Sequence, residues 1–487
     1  MQLALIVQLS IALMAQQLGG ALPLGPWAGA AIALCGPLTA LALGHVAARR
    51  ALGRMDRREA GAAERFFAFN ARMGWIVAVF LFLAASTELP FAFEAAFERA
   101  VGGIVVGAFL LGCGIAGSFA ANWNGWLVES RIREATIIGT LDKSRPLHDF
   151  PSRGSYVLAQ ARAGLAPALL PLLVPIALST VAKWGARLYA PEHESIAELG
   201  GAVLGVLVLL LLIPVLIPPL LGLRRLAPGE MRDDLAHLAS TAGIGVREIW
   251  VWPTDGLVAN AAVMGVFPRL RCVMLSDALL ENMPREQVRA VMAHELGHVA
   301  RRHLAWMLPV LLGCWILGAL IADPAVRSVY GMFAEAANRG DFGDADTSEL
   351  QSIVQAIALV RDAAIVVLGL VIFGFVSRRF ERQADAYAVR LLSVESGTAT
   401  MSPAAVSAMT GALTSVAFLN HVPVDRPSWR HGSIHWRQRY LHSLAGAPVG
   451  PLGIDRLVTA ICLVALALVA YLAVSFLLAS PAIPVTA

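Results

Sequence analysis

Apolar stretches long enough to cross a lipid bilayer recur from one end of this chain to the other, and they limit the folds open to it. By a criterion of about 20 residues per span, about nine occur, at 3–20, 25–47, 73–93, 101–121, 163–182, 199–222, 304–322, 356–376 and 454–479. A bilayer leaves no water for backbone polar groups, so such runs are read as helices. The composition agrees: 57% of the residues are hydrophobic and 15% charged, against about a quarter charged in an average soluble domain. A mainly α, polytopic membrane protein is expected. The first span is interrupted by Gln8, Gln16 and Gln17, and the first Arg or Lys is Arg49. A cleaved signal peptide starts with positive charge, so a membrane anchor fits better. The sixth span carries Pro214, Pro218 and Pro219, read as a packing kink.

The charges set the orientation. Arg49, Arg50, Arg54, Arg57, Arg58, Arg65 and Arg72 follow the second span; Arg131, Arg133, Lys143, Arg145, Arg153 and Arg162 follow the fourth; Arg224 and Arg225 follow the sixth. The positive-inside rule puts all of these in the cytoplasm. The loop 323–355 falls on the opposite side and is acidic, with Asp323, Glu335, Asp341, Asp344, Asp346 and Glu349. Basic clusters that flank spans are not a nucleic-acid surface. The five cysteines are scattered, without disulfide or zinc-finger spacing, and are read as small core residues.

On the cytoplasmic side lies PREQVRAVMAHELGHVARRH, Pro284 to His303, read as one helix with Pro284 in its first turn and Arg301 and Arg302 at its end. Within it, HELGH places His294 and His298 four apart on one face, where both imidazoles can hold one zinc ion. Glu295 sits about 100° further round. From there it can reach a water at the metal without taking a ligand position, as a general base does. His303 falls away from the pair. A metzincin would have glycine at 301 and histidine at 304; Arg301 and Leu304 exclude that class.

A catalytic zinc takes three protein ligands and keeps one position open. After a membrane hairpin the chain returns to the cytoplasm with SRRFERQADAYAVRLL, Ser377 to Leu392. Glu381 and Asp385 are four apart there. Glu381 is assigned as third ligand, and Asp385 as the acceptor that holds a ligand histidine in the correct tautomer. Before the HELGH helix, Val246–Trp252, Asn260–Gly265 and Arg271–Ser276 read as extended segments. A small sheet here has a free edge on which an extended peptide can pair.

HELGH, a membrane hairpin and then E-x-x-x-D within SRRFERQADAYA resemble the gluzincin membrane metallopeptidases, which include HtpX-like proteases and type I CAAX prenyl proteases. The resemblance covers about residues 225–441, with N-A-x-x-x-G at Asn260, Ala261 and Gly265 and the LSDALL run upstream. It implies that the segment with Asn260 and Ala261 is the substrate-binding edge strand. It also implies a downstream histidine, with an arginine six residues on, that stabilises the oxyanion. WRHGSIHWRQRYL offers His431 and Arg437; Gly432 and Ser433 stand where the family commonly has prolines, which leaves His435 as an alternative to His431.

The expected organisation is an N-terminal membrane region over 1–222 and a small α+β zinc protease domain on the cytoplasmic face. That domain is split into 223–303 and 377–453 around a membrane hairpin, 304–376, and a last span and tail occupy 454–487. The expected function is peptide hydrolysis by a metal-activated water, with one catalytic Zn2+, a peptide or protein substrate and a lipid bilayer as partners, and no nucleic acid. The Ala-, Gly- and Leu-rich composition is that of a GC-rich bacterial genome, which disfavours a prenyl-peptide substrate, and a bacterial inner membrane is the expected location. Two rivals remain: a protease for prenylated peptides, and a non-catalytic membrane scaffold or sensor retaining the metal site. Nothing in the sequence sets the oligomeric state.

Overall fold

The apolar runs fold as helices. The computed structural model describes residues 2–97, 99–140, 150–256, 258–339 and 347–479. The N-terminal helices are α1 (Gln2–Leu13), α2 (Ala15–Leu18), α3 (Pro26–Asp56), α4 (Ala62–Ala85), α5 (Leu89–Ala96), α6 (Arg99–Thr140), α7 (Arg153–Tyr189) and α8 (Glu194–Leu221). There follow β1 (Arg224–Arg225), α9 (Glu230–Thr241), β2 (Glu248–Trp252), β3 (Ala261–Met264), β4 (Cys272–Ser276), α10 (Asp277–Asn282) and α11 (Arg285–Ala300). The chain ends with α12 (His303–Asn338), α13 (Thr347–Glu395), α14 (Pro403–Leu419), α15 (Ile434–His442) and α16 (Gly453–Ala479).

Among the described residues seven helices are long and apolar enough to cross a membrane: α3, α4, the bulk of α6, α8 with the turn before it, and the apolar parts of α12, α13 and α16. The first expected span is not one of them. The helix breaks at Met14, and the 12 residues of α1 reach about 18 Å at 1.5 Å each, short of a hydrocarbon core of about 30 Å. Gln8 is buried there and donates to Gly74 O of α4. The span expected over 73–93 is also displaced. Its helix begins at Ala62 and stops at Ala85, where Ser86 and Thr87 donate back to Phe82 O and Ala84 O, and Leu89 N donates to Thr87 Oγ1 to start α5. The stretch 163–182 lies inside α7. Lys143, Arg145, Asp341, Asp344 and Asp346 lie outside the described residues.

The sheet has the order β1-β2-β4-β3; β2 and β4 are parallel and the outer pairs antiparallel. Alternate residues of a strand face opposite sides, and here both sides are covered. Ile249, Val273 and Leu275 join the core formed with α9, α11, α13 and α14. Met264, Cys272 and Met274 pack instead with Ile217 and Leu223 at the end of α8. Gly265, at φ +96°, brings the end of β3 against Pro214 of the proline-bearing helix. The sheet is thus fixed between the membrane helices and α11, with β1 and β3 at its edges.

The hairpin α12–α13 packs closely through small residues, the usual device for membrane helices. A Cβ on Gly318 would stand 2.9 Å from Ile365 O, and one on Gly313 2.9 Å from Ala465 Cα of α16. The core contains residues of both 223–303 and 377–453, among them Leu235, Leu296, Val389 and Leu441.

Candidate metal centre

Residues 284–303 are not one continuous helix. Pro284 is the N-cap of α11, which ends at Ala300. Arg302 adopts φ +55° and turns the chain into α12. Arg289 anchors α11 by ion pairs to Asp234 of α9 and Glu395 at the end of α13. Gly297 permits the close crossing with α13: a Cβ there would stand 3.0 Å from Ala384 O and 3.1 Å from Ala384 Cα.

That crossing brings His294, His298 and Glu381 together, with one donor atom of each within 4.8 Å of the others. The two histidine Nε2 atoms are 3.2 Å apart. Glu381 Oε2 is 3.6 Å from His294 Nε2, and Glu381 Oε1 is 3.8 Å from His298 Nε2. Donors bound at about 2.0–2.1 Å in a tetrahedral set stand about 3.4 Å apart, so the three fit one zinc ion. The His298 nitrogen also suits a metal. Burial, then the neighbouring His294, pushes the His298 pKa down to about 3, so its imidazole is neutral with a free lone pair. Burial opposes a charged His294 too, but Asp385, whose Oδ1 lies 2.9 Å from Nδ1, outweighs it and raises the pKa.

Asp385 is fully buried and also accepts both arms of Arg437: Nε at 2.8 Å and Nη2 at 2.6 Å. Arg437 Nη1 is 3.2 Å from Glu381 Oε2. The arginine therefore faces the two carboxylates of α13. His431 is half exposed at the mouth, its Nδ1 3.1 Å from Glu381 Oε1. His435 is exposed on α15, and its backbone N–H donates to Val424 O. Gly432 has φ +74° and packs on the Trp436 ring, which explains a glycine directly after His431.

Glu295 stands outside the donor trio. Its Oε2 accepts Val263 N–H of β3 at 3.1 Å. Burial raises its pKa; His294 opposes that rise and Glu381 adds to it. Asn260 sits just before β3, its backbone N–H donating to Ser276 Oγ and its O accepting from Ser276 N, and its own Oδ1 accepts Ala261 N–H. Gly265 sits at the other end of the strand, away from the trio and against α8. One clamp has no signature in sequence. Asn420, after α14, accepts Ala259 N–H and donates to Ala259 O, holding the entry to β3 across 161 positions. An asparagine in LNHVP carries nothing that announces such a partner.

With this geometry in hand, comparison with known proteins is specific. Residues 228–426 match the profile of Peptidase family M48. Over these residues the chain is similar to members of peptidase family M48. It is 29% identical over 192 residues to the CAAX prenyl protease 1 homolog of Arabidopsis thaliana, covering 38% of this chain and 42% of that one. It is 32% identical over 160 residues to the Protease HtpX homolog of Verminephrobacter eiseniae, covering 33% and 51%. The chain thus spans about half the length of the curated relatives it matches, or less. Among solved structures, that of S. mikatae Ste24p aligns with a TM-score of 0.34 and 15% identity over 86% of this chain and 100% of that one. The M48 segment includes α11, the hairpin and Glu381; α15 and α16 lie beyond it.

The crossing of α11 and α13 gives a direct test. Gly297→Val is expected to force α11 off α13 and cost about 1–3 kcal/mol by overpacking, with lower zinc retention because the histidines move from Glu381. Thermal unfolding in detergent and bound zinc per chain measure both; wild-type values for both would show that the contact is not needed.

Proposed function

We propose that this chain is an integral-membrane zinc metalloendopeptidase that cleaves membrane-associated or misfolded proteins at the cytoplasmic face of the membrane. The observation that carries the reading is the position of Glu295: beside the His294–His298–Glu381 trio, outside it, and hydrogen-bonded to the edge strand β3. A structural zinc site would be closed by a fourth protein ligand and would have no use for that carboxylate.

A zinc ion held by His294, His298 and Glu381 supplies Lewis acidity towards a carbonyl oxygen and makes water more acidic. The chain's own groups do the rest. An extended peptide pairs along β3, in the manner of strand addition, with Asn260 and Ala261 at its entry. Glu295 takes a proton from the attacking water and, with its pKa raised by burial, is suited to return it to the leaving amine. His431, half exposed at the mouth, is placed to donate to the developing oxyanion. Arg437 holds Glu381 and Asp385, and through Asp385 the tautomer of His294. The arginine-rich loops support the cytoplasmic orientation.

The experiment is cleavage of an unfolded model protein by the full chain in detergent. Activity is expected with zinc, to fall below detection after chelation, and to return on adding zinc back. Cleavage that persists with no bound metal would defeat the reading.

A further inference from the structure

The two histidines of the trio are braced differently. His294 meets a carboxylate directly. His298 Nδ1 lies 2.9 Å from His303 Nδ1; His303 Nε2 lies 2.8 Å from Gln383 Oε1; Gln383 Nε2 donates to Asp455 Oδ1 at 2.9 Å. Asp455, at the head of α16, is fixed by Leu452 N–H and Arg390 Nη2 at 3.0 Å each and by Arg301 Nη2 at 3.3 Å. His303 and Gln383 are buried. The His303 ring is stacked on Phe380, with centroids 4.3 Å apart and planes 3° from parallel.

These contacts allow one arrangement of hydrogens. A carboxylate only accepts, so the Gln383 amide turns its NH2 to Asp455 and its oxygen to His303. His303 then carries its proton on Nε2 and offers a lone pair at Nδ1. That lone pair requires the proton of His298 on Nδ1, which leaves Nε2 free towards the trio. We propose that His303 and Gln383 are positioning residues that hold His298 in its metal-binding tautomer, by a relay that ends on Asp455 of the C-terminal membrane helix. The relay ties α16, outside the M48 segment, to the metal centre. It rests on the zinc reading above.

Zinc affinity of the full chain in detergent, by competition with a chromophoric chelator, tests it, together with the absorption spectrum of the cobalt(II) form and the unfolding midpoint of the metal-free form. His303→Phe keeps the stack and removes the acceptor; His303→Asn restores an oxygen near the position of Nδ1. His303→Phe is expected to weaken zinc binding by about 10–100-fold, as lost partners of ligand histidines do, and to alter the cobalt spectrum, with His303→Asn within about threefold of wild type. Gln383→Leu, which frees the His303 tautomer, is expected to cost about tenfold. Wild-type affinity in His303→Phe would overturn the relay. So would equal losses in Phe and Asn that track the metal-free unfolding midpoint, because those report packing alone. A wild-type chain that binds no stoichiometric zinc would instead remove the metal reading beneath it.

Discussion

Glu295→Gln is expected to lower kcat on an unfolded protein substrate by about 10²–10⁴-fold, the usual contribution of a general base, with zinc still bound at one ion per chain. The substitution is nearly isosteric. An amide oxygen can still accept Val263 N–H, so the edge strand keeps its place. The three donors lie on His294, His298 and Glu381, so the ion keeps its ligands. What is lost is the capacity to take and return a proton. Purified wild type and variant, assayed side by side with metal content measured in each, separate the outcomes. Full activity in the variant would show that Glu295 is not the base. Loss of zinc together with activity would show that the side chain is a ligand.

Arg437→Met should have the largest effect on stability. It leaves Asp385 and Glu381 buried and facing each other's charge without the guanidinium that pairs with both. Breaking a buried ion pair by removing one partner typically costs about 3–5 kcal/mol. The cost depends on the metal, because a cation at the trio takes over part of the neutralisation of Glu381. The variant's unfolding midpoint is therefore expected to fall further below wild type in chelator than in saturating zinc. An unchanged midpoint in chelator would mean that the carboxylates are protonated or solvated without the arginine, and the role given to Arg437 would fail.

The parts of this protein legible in its sequence are those whose partners lie within one turn of helix. His294 and His298 are read from a spacing of four, and Asp385 from its distance to Glu381. The apolar runs give the membrane class from composition alone. Helix ends were harder. The stop at Ser86 and Thr87 depends on local hydrogen bonds, which no hydropathy pattern shows. His303 illustrates the difficulty well. Judged along a continuous helix it points away from the histidine pair. The chain turns at Arg302, φ +55°, and the turn brings its ring back to His298. Arg437 was drawn to the site by its spacing from His431. Its true neighbours, 52 and 56 positions earlier on α13, come from packing alone.

Helix α13 runs unbroken from Thr347 to Glu395; its apolar part lies in the membrane and its far end carries Glu381 and Asp385. No linker separates anchor from chemistry. A tethered hydrolase can be cut free of its tether and go on working, but here any such cut would pass through the rod that carries the third donor. Attempts to excise a soluble fragment should therefore return a protein with two histidines and no site. In this molecule the membrane is part of the scaffold on which the site is built.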